Sequence, residues 1–162
     1  MTDLSDAIIH ECTERGLTIA VAESLTGGSL VATLIETPGA SLVVRGGVVA
    51  YDTAVKHSVL RVDGELLERE GAVHPEVARQ MAQGVRELMS VAGRPADIGV
   101  ATTGVAGPAP QDGRPVGLVY VGLATESGSR SVELHLTGER SDIRNSTVSE
   151  SLVQLRAALE AL

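Results

Sequence analysis

Ser24 stands in the run Ala22-Glu23-Ser24-Leu25-Thr26-Gly27-Gly28, between a short apolar stretch and a helical pattern. A serine at a strand-to-helix turn is exposed, and nearby backbone N–H groups can receive negative charge building on an acyl oxygen. Gly27 and Gly28 let the backbone approach a ligand closely. Simple capping of the helix by Ser24 or Thr26 accounts for the same residues and is the favoured reading of the bare pattern.

A nucleophilic serine needs a base. Among the 13 Lys and Arg residues there is one lysine, Lys56. A strong arginine bias ordinarily reflects genome composition, so a sole lysine is a candidate for the task arginine cannot do, which is to lose its proton. Chance retention competes with that explanation. A desolvated lysine drops its pKa toward neutrality and can accept a hydroxyl proton, and serine–lysine pairs are a variant of the triad logic. Tyr51, expected at a strand end, could relay the proton; as an amphipathic rim residue it would need no such role. The histidines are weaker candidates. His10 falls on an expected surface helix, His135 in a late strand, and His74 precedes Pro75 where an imaginable role is a helix cap; His57 has no evident partner. None has another His or Cys at zinc-ligand spacing, so no metal site is expected.

Thr103 and Gly104 end a second buried apolar run, and parallel strand ends converge on one crevice. Thr103 is therefore a candidate to hydrogen-bond a substrate beside Ser24, although a Gly-rich loop alone is equally an ordinary turn. Arg140 and Arg144 lie four apart near the start of the last helix, on one face. Two such guanidiniums can grip a phosphate; pairing with Glu139 and Asp142 is the bland alternative.

The elements that must position these residues follow from hydrophobic period and turn signals. Helices are expected at 4–15, 29–35, 53–60, 64–70, 75–91 and 140–162. Strands are expected at 17–22, 42–50, 96–102, 116–125 and 131–137, the last two as a hairpin through Ser127-Gly128-Ser129. Cys12 falls on the buried stripe of the first helix. The alternation predicts one α/β domain spanning 1–162, three layers (α/β/α) around a mixed sheet.

Composition bounds the function. A net charge of −8 repels phosphate backbones, and with no Trp, no Phe and two Tyr the chain lacks stacking platforms for bases. No nucleic-acid partner is expected. The single cysteine excludes a disulfide framework and suits a reducing compartment. The acidic start is not expected to act as a signal peptide, and no apolar run reaches the roughly 20 residues needed to cross a bilayer. A cytoplasmic setting without membrane attachment is expected.

Six motifs occur in order: the Ala22–Gly28 run, Gly46-Gly47-Val48-Val49-Ala50-Tyr51 with Lys56, Gly71-Ala72-Val73, Thr103-Gly104-Val105-Ala106-Gly107-Pro108, Pro115-Val116-Gly117, and Gly138-Glu139-Arg140 with Arg144. From about Leu4 to Leu159 the chain resembles the CinA C-terminal domain family, the nicotinamide-nucleotide amidohydrolases. The resemblance implies hydrolysis of nicotinamide mononucleotide to nicotinate mononucleotide and ammonia, a three-layer fold, and no cofactor. It implies a serine nucleophile at Ser24, an activating pair at Tyr51 and Lys56, and substrate binding by Thr26, Gly27, Gly28, Thr103, Gly104, Arg140 and Arg144. Oligomeric state is left open, with a homo-oligomer among the options. The chain departs from the family pattern at Leu25, at His74 and in the loop Ala109-Pro110-Gln111-Asp112-Gly113. The alternative reading is a catalytically silent nucleotide- or partner-binding module.

Overall fold

The structure is a computed structural model that describes residues 2–162. The chain runs α1 (Thr2–Arg15), β1 (Ile19–Glu23), α2 (Ser29–Ile35), a 3-10 turn (Ala40–Leu42), β2 (Val44–Val49), α3 (Thr53–Ser58), α4 (Gly64–Glu70), α5 (Pro75–Leu88), β3 (Ile98–Gly104), β4 (Leu118–Thr125), β5 (Gly128–His135) and α6 (Arg140–Glu160). The sheet order is β2-β1-β3-β4-β5. β2, β1 and β3 are parallel, while β4 and β5 run antiparallel. The expected α/β class and mixed sheet are what is found.

Alternation along the strands sends two different sets of side chains to the two faces. Ile19, Val21, Ile98, Val100, Val121 and Leu123 pack with Ile8, Ile9 and Cys12 of α1, Leu30 and Leu34 of α2, and Leu152 and Leu155 of α6. The opposite face carries Ala20, Ala22, Ala101 and Ala124 beneath Val77, Met81 and Val85 of α5. Small residues are required there because α5 lies almost on the sheet. A Cβ on Gly99 would stand 2.0 Å from the Ala82 carbonyl oxygen, and one on Gly122 would stand 2.0 Å from that of Ala78. An aromatic-poor aliphatic core is therefore matched to a close helix–sheet approach.

Element boundaries differ from expectation in two informative places. The run 42–50 opens as a 3-10 turn, and pairing with β1 starts only at Val44. The hairpin turns earlier than expected, with Gly128 already paired to Thr125, so the turn residues are Glu126 and Ser127. Pro75 at the first turn of α5 follows His74, whose Nδ1 accepts the Glu76 N–H at 3.2 Å and so caps the helix. The carboxyl ends of β1, β2 and β3 lie side by side, and the chain leaves β1 for β2 on one flank and β3 on the other. That reversal is where open α/β sheets bind ligands.

Candidate active site

Ser24 follows the last residue of β1 and is held by its own N–H, which donates to the Thr102 carbonyl at 3.0 Å. From the neighbouring strand end, Asp52 caps α3 by accepting the Ala54 N–H, and α3 turns Lys56 inward. Lys56 is only 1% exposed and is the buried residue of that helix. A charged residue at a position that local patterning would fill with an apolar one is a mark of function.

Lys56 Nζ lies 3.1 Å from Ser24 Oγ, 2.6 Å from the Ala50 carbonyl oxygen and 3.4 Å from the Tyr51 carbonyl oxygen. A neutral amine has two N–H donors and one lone pair. The two carbonyls take the donors, and the lone pair is left for the Ser24 hydroxyl proton. Burial lowers the Lys56 pKa from 10.5 to about 8, against an opposing pull from the Asp52 carboxylate. At pH 7 roughly a tenth of such amines are neutral.

A cavity of about 130 Å³ opens over the pair. Its floor includes Ser24, Lys56, Ala72, Val73, Thr103 and Gly104, and its rim includes Tyr51, Gln111 and Arg140. That volume is below the several hundred Å³ of a typical ligand pocket. It suits the reacting end of a substrate whose remainder lies across the rim. Arg140 is fixed at the rim by donating to the Gly107 carbonyl at 2.7 Å and to the Tyr51 hydroxyl at 3.0 Å.

Several expectations about individual residues change. The hydrogen bond a Tyr51 proton relay would need is not formed here: the phenol of this 60% exposed residue accepts from Arg140 at the rim, and its link to Lys56 runs through the main-chain carbonyl. Arg144 does not join Arg140 at the cavity. Its Nε donates to the Leu25 carbonyl at 2.9 Å and its Nη2 to the Thr26 carbonyl at 3.0 Å. The Thr26 side chain is buried against Thr102, hydroxyl to hydroxyl at 2.8 Å, and does not line the cavity. Thr103 and Gly104 do line the cavity, but the Thr103 hydroxyl donates to the Ala72 carbonyl at 2.7 Å, leaving its lone pairs for a ligand.

Gly27 and Gly28 are also spoken for. The Gly27 N–H donates to the Ser24 carbonyl, and the Gly28 N–H donates to the Glu23 carboxylate. Glu23, which the sequence reading passed over, is buried and accepts N–H bonds from Gly28, Leu30 and Val31 at 2.8–3.0 Å. An acidic residue a few positions ahead of a helix was the available signal. Of the backbone N–H groups near this turn, those of Gly27 and Gly28 are thus already bonded within the protein. The N–H groups of Leu25 and Thr26 have no partner among the described residues.

Residues 1–159 match the family described as the CinA C-terminal domain. The chain belongs to the CinA C-terminal domain family. It is 44% identical over 159 residues to a CinA-like protein of Frankia casuarinae, covering 98% of this chain and 36% of that one. It is 40% identical over 161 residues to a CinA-like protein of Dictyoglomus turgidum, covering 98% and 38%. The CinA-type domain thus spans little more than a third of these curated relatives. Its fold is that of the competence/damage inducible protein CihA from Agrobacterium tumefaciens, with a TM-score of 0.89 at 36% identity over 98% of this chain and 94% of that one. Among the described residues of this CinA domain, no helix is long and apolar enough to cross a membrane.

Proposed function

We propose that the chain is an amidohydrolase that converts nicotinamide mononucleotide to nicotinate mononucleotide and ammonia. The observation that carries the reading is the buried Lys56 amine 3.1 Å from the Ser24 hydroxyl. Ser24 Oγ attacks the carboxamide carbon as its proton passes directly to Lys56 Nζ. The carbon–nitrogen bond breaks, and the proton on Lys56 goes to the leaving nitrogen, which departs as ammonia. Water then adds to the acyl-serine and gives a proton to Lys56. The acyl–oxygen bond breaks, Ser24 Oγ recovers the proton, and the carboxylate product leaves.

The small cavity takes the pyridine ring with its carboxamide. Arg140, at the rim and free of any carboxylate partner among the described residues, binds the 5′-phosphate. A pyridine nucleotide is thus the partner of this surface; a polynucleotide is disfavoured by the net charge of −8. The setting that fits such a reaction is the cytoplasm.

Ammonia release from nicotinamide mononucleotide, with Ser24→Ala beside the parent, tests the reading. The parent releases ammonia and the variant does not. Calorimetric binding of the nucleotide without ammonia release by the parent would replace the hydrolase with a silent nucleotide-binding module.

A further inference from the structure

Arg144 is half-buried, carries a full charge in an acidic protein, and has no carboxylate partner among the described residues. Its guanidinium is instead bound to the two carbonyls that follow the nucleophile, and a Cβ on Gly27 would stand 3.5 Å from its Nη2. Ser24 and Leu25 line the cavity, Thr26 follows directly behind them, and Gly27 and Arg144 are outside the lining. The guanidinium therefore holds the turn from behind.

In a trans peptide the N–H points opposite to the C=O. The Leu25 carbonyl, bound by Arg144 Nε, shares its peptide with the Thr26 N–H. The Thr26 carbonyl, bound by Arg144 Nη2, shares its peptide with the Gly27 N–H, which donates to the Ser24 carbonyl. The Ser24 carbonyl in turn shares its peptide with the Leu25 N–H. Both unpartnered N–H groups of the turn thus sit on peptides whose oxygens are drawn by Arg144, one directly and one through a single further hydrogen bond. Chains of this kind polarise one another. From the other side Glu23 fixes the start of α2, so the turn is clamped by a carboxylate on its N–H groups and a guanidinium on its C=O groups.

We propose that Arg144 is a positioning residue for transition-state charge: it aims and polarises the Leu25 and Thr26 N–H groups that receive the oxyanion formed when Ser24 attacks. This rests on Ser24 acting as the nucleophile. It also separates the two arginines that share a face of α6: Arg140 serves the substrate, and Arg144 serves the turn.

The test is Arg144→Ala, assayed for ammonia release from nicotinamide mononucleotide and for acetylation of Ser24 by p-nitrophenyl acetate, followed by intact mass. Donor loss in such sites costs up to a hundred- to a thousandfold. Since the N–H groups remain but lose aim and polarisation, kcat falls about ten- to a hundredfold. KM changes less than threefold, and the apparent pKa near 8 in the pH profile stays. Added guanidinium chloride at sub-denaturing concentration, refilling the vacated space, raises kcat several-fold, which a general loss of stability would not allow. A kcat at the parent level overturns the proposal. So does a loss that guanidinium does not relieve, or one confined to KM. If Arg144→Ala does not fold, Arg144→Lys, which keeps one cationic donor, shows an intermediate kcat; parent-level kcat in that variant is equally fatal. A parent that is acetylated at Ser24, in an Arg144-dependent way, but releases no ammonia from the nucleotide would sink the substrate assignment and leave the role of Arg144 standing.

Discussion

Replacing Lys56 by Met changes the pH dependence of stability in a way that the buried amine alone dictates. The folded chain holds Lys56 at a pKa of about 8 against 10.5 for the free side chain, because burial disfavours the charged form. That gap corresponds to roughly 3 kcal/mol at about 1.4 kcal/mol per pH unit. The sign follows from proton counting. Between pH 8 and 10.5 the unfolded chain carries a proton on Lys56 that the folded chain lacks, so stability rises with pH across that window. Below pH 8 both forms are protonated and the penalty is constant. Lys56→Met removes the penalty but leaves the Ala50 carbonyl without its donor, which costs about 1–3 kcal/mol. The two terms nearly offset at pH 7, so the absolute stabilities of parent and variant there are similar. The difference between them is the informative quantity. Urea unfolding of both proteins at intervals from pH 7 to 10 gives a parent-minus-variant stability that climbs by about 2–3 kcal/mol, with other titrating groups cancelling in the subtraction. Parallel curves would refute the claim that folding desolvates this amine.

Lys56→Arg keeps the charge but cannot give up its proton at working pH; kcat for ammonia release falls at least a hundredfold with little change in nucleotide binding by calorimetry. Asp52→Asn keeps an oxygen to cap α3 while deleting the carboxylate that raises the Lys56 pKa; the alkaline-rising limb of the pH–rate profile moves to lower pH, and a shift to higher pH would contradict the electrostatics. Arg140→Ala removes a charge-assisted phosphate contact worth about 1.5–3 kcal/mol, so KM rises roughly tenfold or more while kcat holds within a few-fold, and nicotinamide riboside, which lacks the phosphate, is indifferent to the change.

Much of the fold is legible in the chain because local pattern and tertiary demand agree. The β1 run Ile19-Ala20-Val21-Ala22 already separates large residues for one layer from alanines for the other, and His74-Pro75 marks the start of α5. Gly99 and Gly122 carry no comparable signal: their need for a bare backbone arises only when α5 settles on the sheet. The meeting of Ser24 and Lys56 is foreshadowed by the rarity of lysine and the glycine-rich turn, although the bare pattern favours a helix cap at Ser24. The different partners of Arg140 and Arg144 are not legible there, since spacing on a helix fixes a common face but not what each side chain meets. Glu23 escaped for a related reason, as its three amide partners lie in a helix start that exists only after the turn has formed.

Lys56 is the sole lysine of the chain, so selective ¹⁵N-lysine labelling yields one side-chain amine resonance, and its titration by nuclear magnetic resonance reads the proposed base directly. A midpoint of about 8, displaced by Ser24→Ala through loss of the hydroxyl contact, is the expected result; a midpoint near 10.5, the value of a hydrated lysine, would contradict the account.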